Sequence, residues 1–360
     1  MSKIKTMNKK TKNNLVTYLI VIIAYIVFQA LSSSGNMSNS LGGLLVPICA
    51  YIVMAVSLNL TVGIMGELSL GHAGFMSIGA FSGVITAVTL QNAVSSGSLR
   101  LLIAIVVGGI MAGIVGLLVS FPVLRLRGDY LAIVTLALGE IIKNLVYCLY
   151  VGVDSNGLHF GTKSIAALGM GETGVTIVNG PMGAVGIPKL STFFAGFLLV
   201  VFCLFMVLNF INSRSGRAVM ALRDNRIAAE SVGVSPSKYK ATAFVISAIL
   251  AGMAGTLYAL NYSTVAAKKF DFNTSILVLV FVVLGGIGNI RGSIITAVIL
   301  TVLPELLRAF SEYRMLIYAI LLILIMIIKY NPKYKLFFVD LKYRILRRKS
   351  RIKEGDAENG

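Results

Sequence analysis

Residues 63–81 read GIMGELSLGHAGFMSIGAF, placing a carboxylate, an imidazole and five glycines between two apolar runs. Glu67 offers a charge that can pair with a cation or set a gate. His72 offers a hydrogen bond, and Ser69 a small polar wall. Gly66, Gly71 and their neighbours let a chain bend and let helices approach closely. A second charged pair, Glu140 and Lys143, lies one helical turn apart in another apolar run, where an i,i+3 pairing can neutralise both groups. Each group also has a purely structural explanation. Gly-x-x-x-Gly-like spacing serves helix packing, Glu67 can sit at a turn, His72 can be a satisfied packing residue, and Glu140–Lys143 can be a structural ion pair.

The elements that must position these groups are membrane helices. The chain has 360 residues, of which 57% are hydrophobic and 13% charged. Soluble domains carry about 25% charged residues. Repeated apolar runs reach the roughly 17–25 residues needed to cross a bilayer as helices. The fold class expected is therefore all-α, a polytopic membrane protein. The net charge of +18 does not indicate nucleic acid, because the basic residues sit at the ends and in short loops. Cys49, Cys148 and Cys203 lie inside apolar runs and form no C-x-x-C pair, and the two histidines are far apart, so no metal site is expected.

Ten spans are expected, near 15–31, 41–62, 74–91, 101–122, 130–151, 191–211, 241–262, 274–290, 292–310 and 314–330. The pair at 274–290 and 292–310 needs a tight turn at GGIGNIRG. The first run exceeds a signal-peptide core, so it is expected to be a retained helix despite the cleavage-like ALS near Ala30. With the N-terminus inside, the inner segments hold five basic residues in 1–14, two in 123–129, six in 211–241, Arg291, and ten in 329–360. These 24 face seven on the outer side, with Lys143 inside a span. That bias predicts cytoplasmic N- and C-termini. The chain then divides into a basic N-terminus at 1–14, a permease-like membrane domain at 15–330, and a basic tail at 331–360 that anchors topology or lies on anionic headgroups. An outer stretch at 152–190, rich in Gly, Ser and Asn, has room for a small surface structure that a soluble partner could touch.

The inner stretch at 212–240 carries the densest local signals. Asp224 or Asn225 can cap a short helix that Gly233 ends, and Ser235 can cap the next with Pro236 at its first position. A helix of about two turns is too short to stand alone, so it must pack on something. Ala228 and Ala229 are expected to give it a flat, small-residue face.

This loop, GRAVMALRDNRIAAESVG, resembles the coupling segment of the permeases of branched-chain amino acid ABC transporters, the M-type subunit in particular. SLNLTVGIMGELSLGHAGFMSIGAF, FPVLRLRGDYLAIVTLALGEII and VLGGIGNIRGSIITAVI resemble the same family, in the same order, over roughly 40–330. Three places depart from its pattern: Arg226 stands where an acidic residue is usual, VDSNGLHFGTKSI keeps part of the usual outer motif, and KYNPKYKLFF replaces the usual ending.

The resemblance implies a non-catalytic membrane subunit of an ATP-driven importer in the cell membrane. Its implied partners are a second, H-type permease, two ABC ATPase subunits and an external solute-binding protein. ATP and magnesium would sit on the ATPases, since this chain has no G-x-x-x-x-G-K-[ST] loop and no cofactor of its own. Gly66, Glu67, Ser69, Gly71, His72, Glu140 and Lys143 become candidates for the substrate pathway or gate. Arg217, Arg223, Asp224, Asn225, Ala228, Ala229 and Gly233 become candidates for ATPase coupling. Residues 63–81 would be a discontinuous element whose free N–H and C=O groups suit a zwitterion. A nucleoside or sugar permease of the same superfamily and an ion-coupled secondary transporter are the alternatives; the latter would not need the 212–240 loop.

The basic bias yields a direct test. A cysteine replacing Ser237 should react only with a reagent supplied from the cytoplasm, and one replacing Ser155 only with a reagent from outside. Reaction of both from one face would overturn the alternating map.

Overall fold

The computed structural model describes residues 9–33, 39–126, 128–154, 157–171, 174–308 and 313–330. Ser155 and the basic tail at 331–360 lie outside the described residues. Twelve α-helices are described: α1 Lys9–Ser33, α2 Asn39–Asn59, α3 His72–Thr89, α4 Gly97–Val123, α5 Asp129–Tyr147, α6 Phe193–Asn212, α7 Arg214–Asp224, α8 Arg226–Ser231, α9 Pro236–Ala259, α10 Phe272–Gly285, α11 Ile290–Leu306 and α12 Arg314–Tyr330. Seven helical runs are long and apolar enough to cross a membrane. α10, α11 and α12 are shorter apolar helices of 14, 17 and 17 residues. Each of the ten expected spans thus falls on a helix. The basic N-terminal stretch does not stay outside the first one, because α1 begins at Lys9.

The chain divides into two units, residues 1–302 and 303–360. The second contains the end of α11 and α12, with an Arg308–Glu305 ion pair at 3.1 Å on successive turns. The first holds the core. α2 is central there: 78% of its apolar window is buried, against 11% for α1 on the periphery.

α3, α4 and α9 form the tightest packing. Lipid tails are as apolar as leucine, so helix association in a membrane depends on close contact and interhelical hydrogen bonds rather than on expelling water. The sequence meets that need with small residues. A Cβ at Gly79 of α3 would overlap the backbone of Gly252 of α9, and one at Gly108 of α4 would overlap the Thr256 hydroxyl. That hydroxyl donates to the Gly79 carbonyl at 2.8 Å.

α7 and α8 follow the C-terminal end of α6, and the segments before its N-terminal end form most of a five-stranded antiparallel sheet in the order β2-β1-β3-β4-β5. Its strands are β1 Tyr150–Asp154, β2 Gly157–Gly161, β3 Val175–Asn179, β4 Ala184–Val185 and β5 Thr264–Val265. Register runs Tyr150↔Gly161 and Val153↔Leu158 on one side of β1, and Tyr150↔Asn179 on the other, with a bulge at Val151/Gly152. The small surface structure expected at 152–190 is this sheet, which also recruits β5 from the α9–α10 connection. The α10–α11 turn falls at the expected glycines, with φ of 102° at Gly286 and 80° at Gly288.

Gly79→Val should therefore destabilise the first unit more than Thr256→Val. The first forces backbones apart, an overpacking cost of about 1–3 kcal/mol or more. The second removes one interhelical hydrogen bond, worth about 0.6–2 kcal/mol. Thermal unfolding of the purified protein, read by tryptophan-free fluorescence labelling of buried thiols, should rank them in that order.

Candidate functional site

The segment at 60–72 is a true break between two membrane helices. After Asn59 the chain enters a π-helical turn, Leu60–Met65. Such turns occur mostly as single inserts and often at functional sites. Gly66 follows with φ of 77°, a left-handed conformation that favours glycine. Its N–H and that of Glu67 both donate to the Thr61 carbonyl, the second at 3.2 Å. Regular helix resumes only at His72.

Freed backbone groups in a membrane must find partners inside the protein, and here side chains from three other elements, α5, α7 and α10, supply them. Leu70 N–H donates to Thr135 Oγ1 of α5 at 3.0 Å, and Ala73 N–H to Ser275 Oγ of α10 at 3.1 Å. Asn59, 1% exposed, accepts from Gly288 N–H and donates to Ser293 Oγ of α11, both at 2.9 Å. Arg223 of α7 donates through Nη1 to the Gly63 carbonyl at 2.9 Å.

Glu67 pairs with Lys240 in the second turn of α9. The lysine is 8% and the glutamate 15% exposed at the side chain. In this conformation the carboxylate is committed to a protein cation. Ser69 and His72 are each 1% exposed. Ser57 Oγ already donates to Met54 O at 2.9 Å, so its contact with His72 Nε2 at 2.8 Å requires the proton on Nε2. His72 Nδ1 and Ser69 Oγ are buried without a hydrogen-bond partner. A Cβ at Gly71 would overlap the Thr135 carbonyl, and Gly74 packs against Gly139. Packing thus explains Gly71 and Gly74, as the bland account of their spacing anticipates.

Glu140 and Lys143 pair on α5, and Glu140 Oε1 also accepts from Phe272 N–H at 3.2 Å. A carboxylate at the first residue of α10 meets an unsatisfied N–H and the positive end of the helix dipole, so the pair ties α5 to α10. The cleft lined by Leu70, Gly74, Glu140, Phe270 and Ser275 has no room for a water molecule. Glu140 thus lines a closed cleft with Leu70 of the break and Gly74 of α3.

The loop after α6 holds two helices where one was expected. Ser213 caps α7, accepting from Gly216 N–H at 3.1 Å. Asn225, not Asp224, caps α8, accepting from Ala228 N–H at 3.1 Å. Gly233 ends it with φ of 85°, followed by Val234 N–H to Ala229 O at 3.0 Å. Arg217 donates to Asn212 O at 2.8 Å, closing the end of α6. Arg226 pairs with Glu230 at 2.6 Å, one turn away on α8. The expectation of a joint Ala228–Ala229 face fails. Ala229 is 4% exposed and packs inward, whereas Ala228 is exposed. Adjacent residues on a helix point about 100° apart and cannot share a face. Ile227 and Val232, 82% and 79% exposed, are the large apolar groups that α8 turns outward.

The site's cross-links were not foreseen from sequence. Lys240 carried a usable signal, being a lysine just inside an apolar helix, where an ammonium needs a partner. Asn59 carried the same signal in its own run. Arg223 stood among the coupling candidates, but nothing near it in the sequence marked Gly63 as its partner.

Residues 40–326 match the family described as branched-chain amino acid transport system / permease component. The chain belongs to that family. It is 39% identical over 286 residues to the high-affinity branched-chain amino acid transport system permease protein LivM of Escherichia coli (strain K12), covering 77% of this chain and 66% of the relative. It is 26% identical over 298 residues to LivH of the same strain, covering 77% and 89%. A nucleoside ABC transporter permease protein, NupC of Lactococcus lactis, is 23% identical over 229 residues, covering 57% and 64%. The chain thus spans just under two thirds of the length of the LivM relative. No solved structure matches it.

Glu67→Gln should leave Lys240 buried and unpaired, a cost of about 3–5 kcal/mol for breaking a buried pair. The double variant Glu67→Gln/Lys240→Met should recover most of that stability. Thermal unfolding of the two variants checks it: equal losses would mean that the ion pair carries no coupling.

Proposed function

We propose that this chain is the M-type membrane subunit of an ATP-driven importer that moves branched-chain amino acids delivered by an external solute-binding protein. Membership of the permease family supports the class of protein. The 24-to-7 basic bias supports placing α7 and α8 in the cytoplasm and the sheet outside. The observation that carries the mechanism is α8. It is a capped, two-turn helix in a polar loop, and it presents Ile227 and Val232 to solvent. Exposed apolar side chains on so short a helix fit a cleft in another protein, here an ATPase subunit. Ala229 holds the helix onto its own chain, and Ile227 and Val232 meet the partner. An H-type permease would complete the membrane pore. ATP hydrolysis belongs to the separate ATPase subunits.

The pathway residues have distinct parts in this scheme. The break at 60–71 is the movable inner segment, Glu67–Lys240 its latch, and the tight packing around Gly71, His72 and Glu140 the closed state. Nucleosides are the second solute class, favoured by the match to NupC.

Ile227→Asp and Val232→Asp should each weaken capture of the ATPase subunits while leaving the chain's amount in the membrane unchanged. Capture is read by pull-down from solubilised membranes, and uptake by vesicles loaded with ATP. Normal capture by both variants would remove α8 as the docking element. Uptake of labelled leucine should be competed by isoleucine and valine; competition by adenosine alone would favour the nucleoside class.

A further inference from the structure

Three facts converge on the π-helical turn. The helix that ends at Met65 leaves its last carbonyls without intrahelical donors. Glu67 N–H, which would serve Gly63 O in a regular helix, goes to Thr61 O instead. The orphaned Gly63 carbonyl is taken by Arg223 Nη1, from the last turn of α7.

Arg223 does more than fill a vacant acceptor. Its Nε and Nη2 both donate to Asp224 Oδ1, at 3.0 and 2.8 Å, immediately before Asn225 caps α8. Its stem lies over Gly66, where a Cβ would come within 2.5 Å of Arg223 Cγ. Gly66 is thus glycine for two reasons, its positive φ and the arginine stem above it. One planar guanidinium spans the junction between the loop helices and the break, and its fixed fork passes on displacement and orientation better than a flexible ammonium. One residue past the stem's contact, Glu67 is held by Lys240 at the start of α9, the helix that α8 leads into.

We infer that Arg223 is the positioning residue that carries nucleotide-driven movement of α7 and α8 into the membrane break, with Glu67–Lys240 as the second tie on the same segment. The inference rests on the coupling function proposed for α8. Arg223, 37% exposed at its side chain, spends Nη1 on Gly63 and lays its stem over Gly66, so the role inferred for it is transmission and not ATPase capture. A shift of α7 pulls the Gly63 carbonyl and turns Gly66 about its left-handed φ. Leu68, 38% exposed, moves with it. Leu70, bonded to Thr135, and His72, bonded to Ser57, are the points where that movement meets the packed helices.

The test uses the full chain co-purified with its permease and ATPase partners in lipid nanodiscs. Cys148→Ser removes the exposed native thiol, and Leu68→Cys reports on the break. The maleimide reaction rate at position 68 should differ between nucleotide-free complex and complex with a non-hydrolysable ATP analogue by at least about fivefold, the lower end of usual coupling between sites. With Arg223→Gln added, ATPase capture should stay normal, the two rates should converge, and solute uptake per ATP hydrolysed should fall. A merely structural arginine would lower yield and melting temperature without erasing the nucleotide response. As a second arm, Glu67→Lys and Lys240→Glu should each lose the response, and the double swap should regain it. The inference is overturned if position 68 ignores nucleotide in the otherwise native chain, if it responds equally with Gln at 223, if Arg223→Gln abolishes capture, or if the double swap stays unresponsive. Normal capture by the Ile227 and Val232 variants would instead strike at the docking function alone.

Discussion

A helix interrupted inside a membrane must have every freed backbone group met by the protein itself, and that constraint organises this molecule. The interruption at residues 60–71 could not persist as a bare loop in hydrocarbon. It persists because Thr135 and Ser275 receive the amides at the start of α3, Asn59 bridges to Gly288 and Ser293, and Arg223 receives the Gly63 carbonyl. Each donor or acceptor comes from a different element. The break is consequently the place where α2, α5, α7, α10 and α11 are joined, and a displacement of one is felt by the others.

The joined elements are held close by the absence of side chains. α3 approaches α9 through Gly79 and Gly252, and meets α5 through Gly71, Gly74 and Gly139. Such contacts are stiff, because backbone atoms cannot yield as side chains do. The π-helical turn and the segment from Gly66 to Leu70 lie between these contacts, and Leu70 at the end of that segment lines the closed cleft beside Glu140. The charged groups serve this mechanical arrangement. Glu67–Lys240 joins the break to α9, and Glu140–Lys143 joins α5 to α10.

The loop helices show the complementary economy. α8 has six residues and cannot be stable alone. Asn225 caps one end, Gly233 turns the other, and Ala229 packs inward. Ile227 and Val232 remain outward, beside the exposed Glu230 and Ser231.

The sequence by itself determined the helical membrane architecture, because a run of apolar residues long enough to cross a bilayer has few other fates. It also determined the α10–α11 turn at GGIGNIRG, a cap at Asp224 or Asn225 and the stop at Gly233, since each depends on neighbours within a few residues. The outer stretch was legible only as a surface structure. Its sheet needs β5 from beyond α9, and strand partners at such separation leave no local mark. The tertiary structure alone decided which way the candidate site residues face. Glu67 could equally have met a solute or a lysine 173 positions away, and only packing chose Lys240. Ala228 and Ala229 are identical in type and adjacent in sequence, yet helix rotation buries one and exposes the other. Arg223 reaches Gly63 across 160 positions because an orphaned carbonyl in hydrocarbon demands a donor and the fold sets that guanidinium beside it.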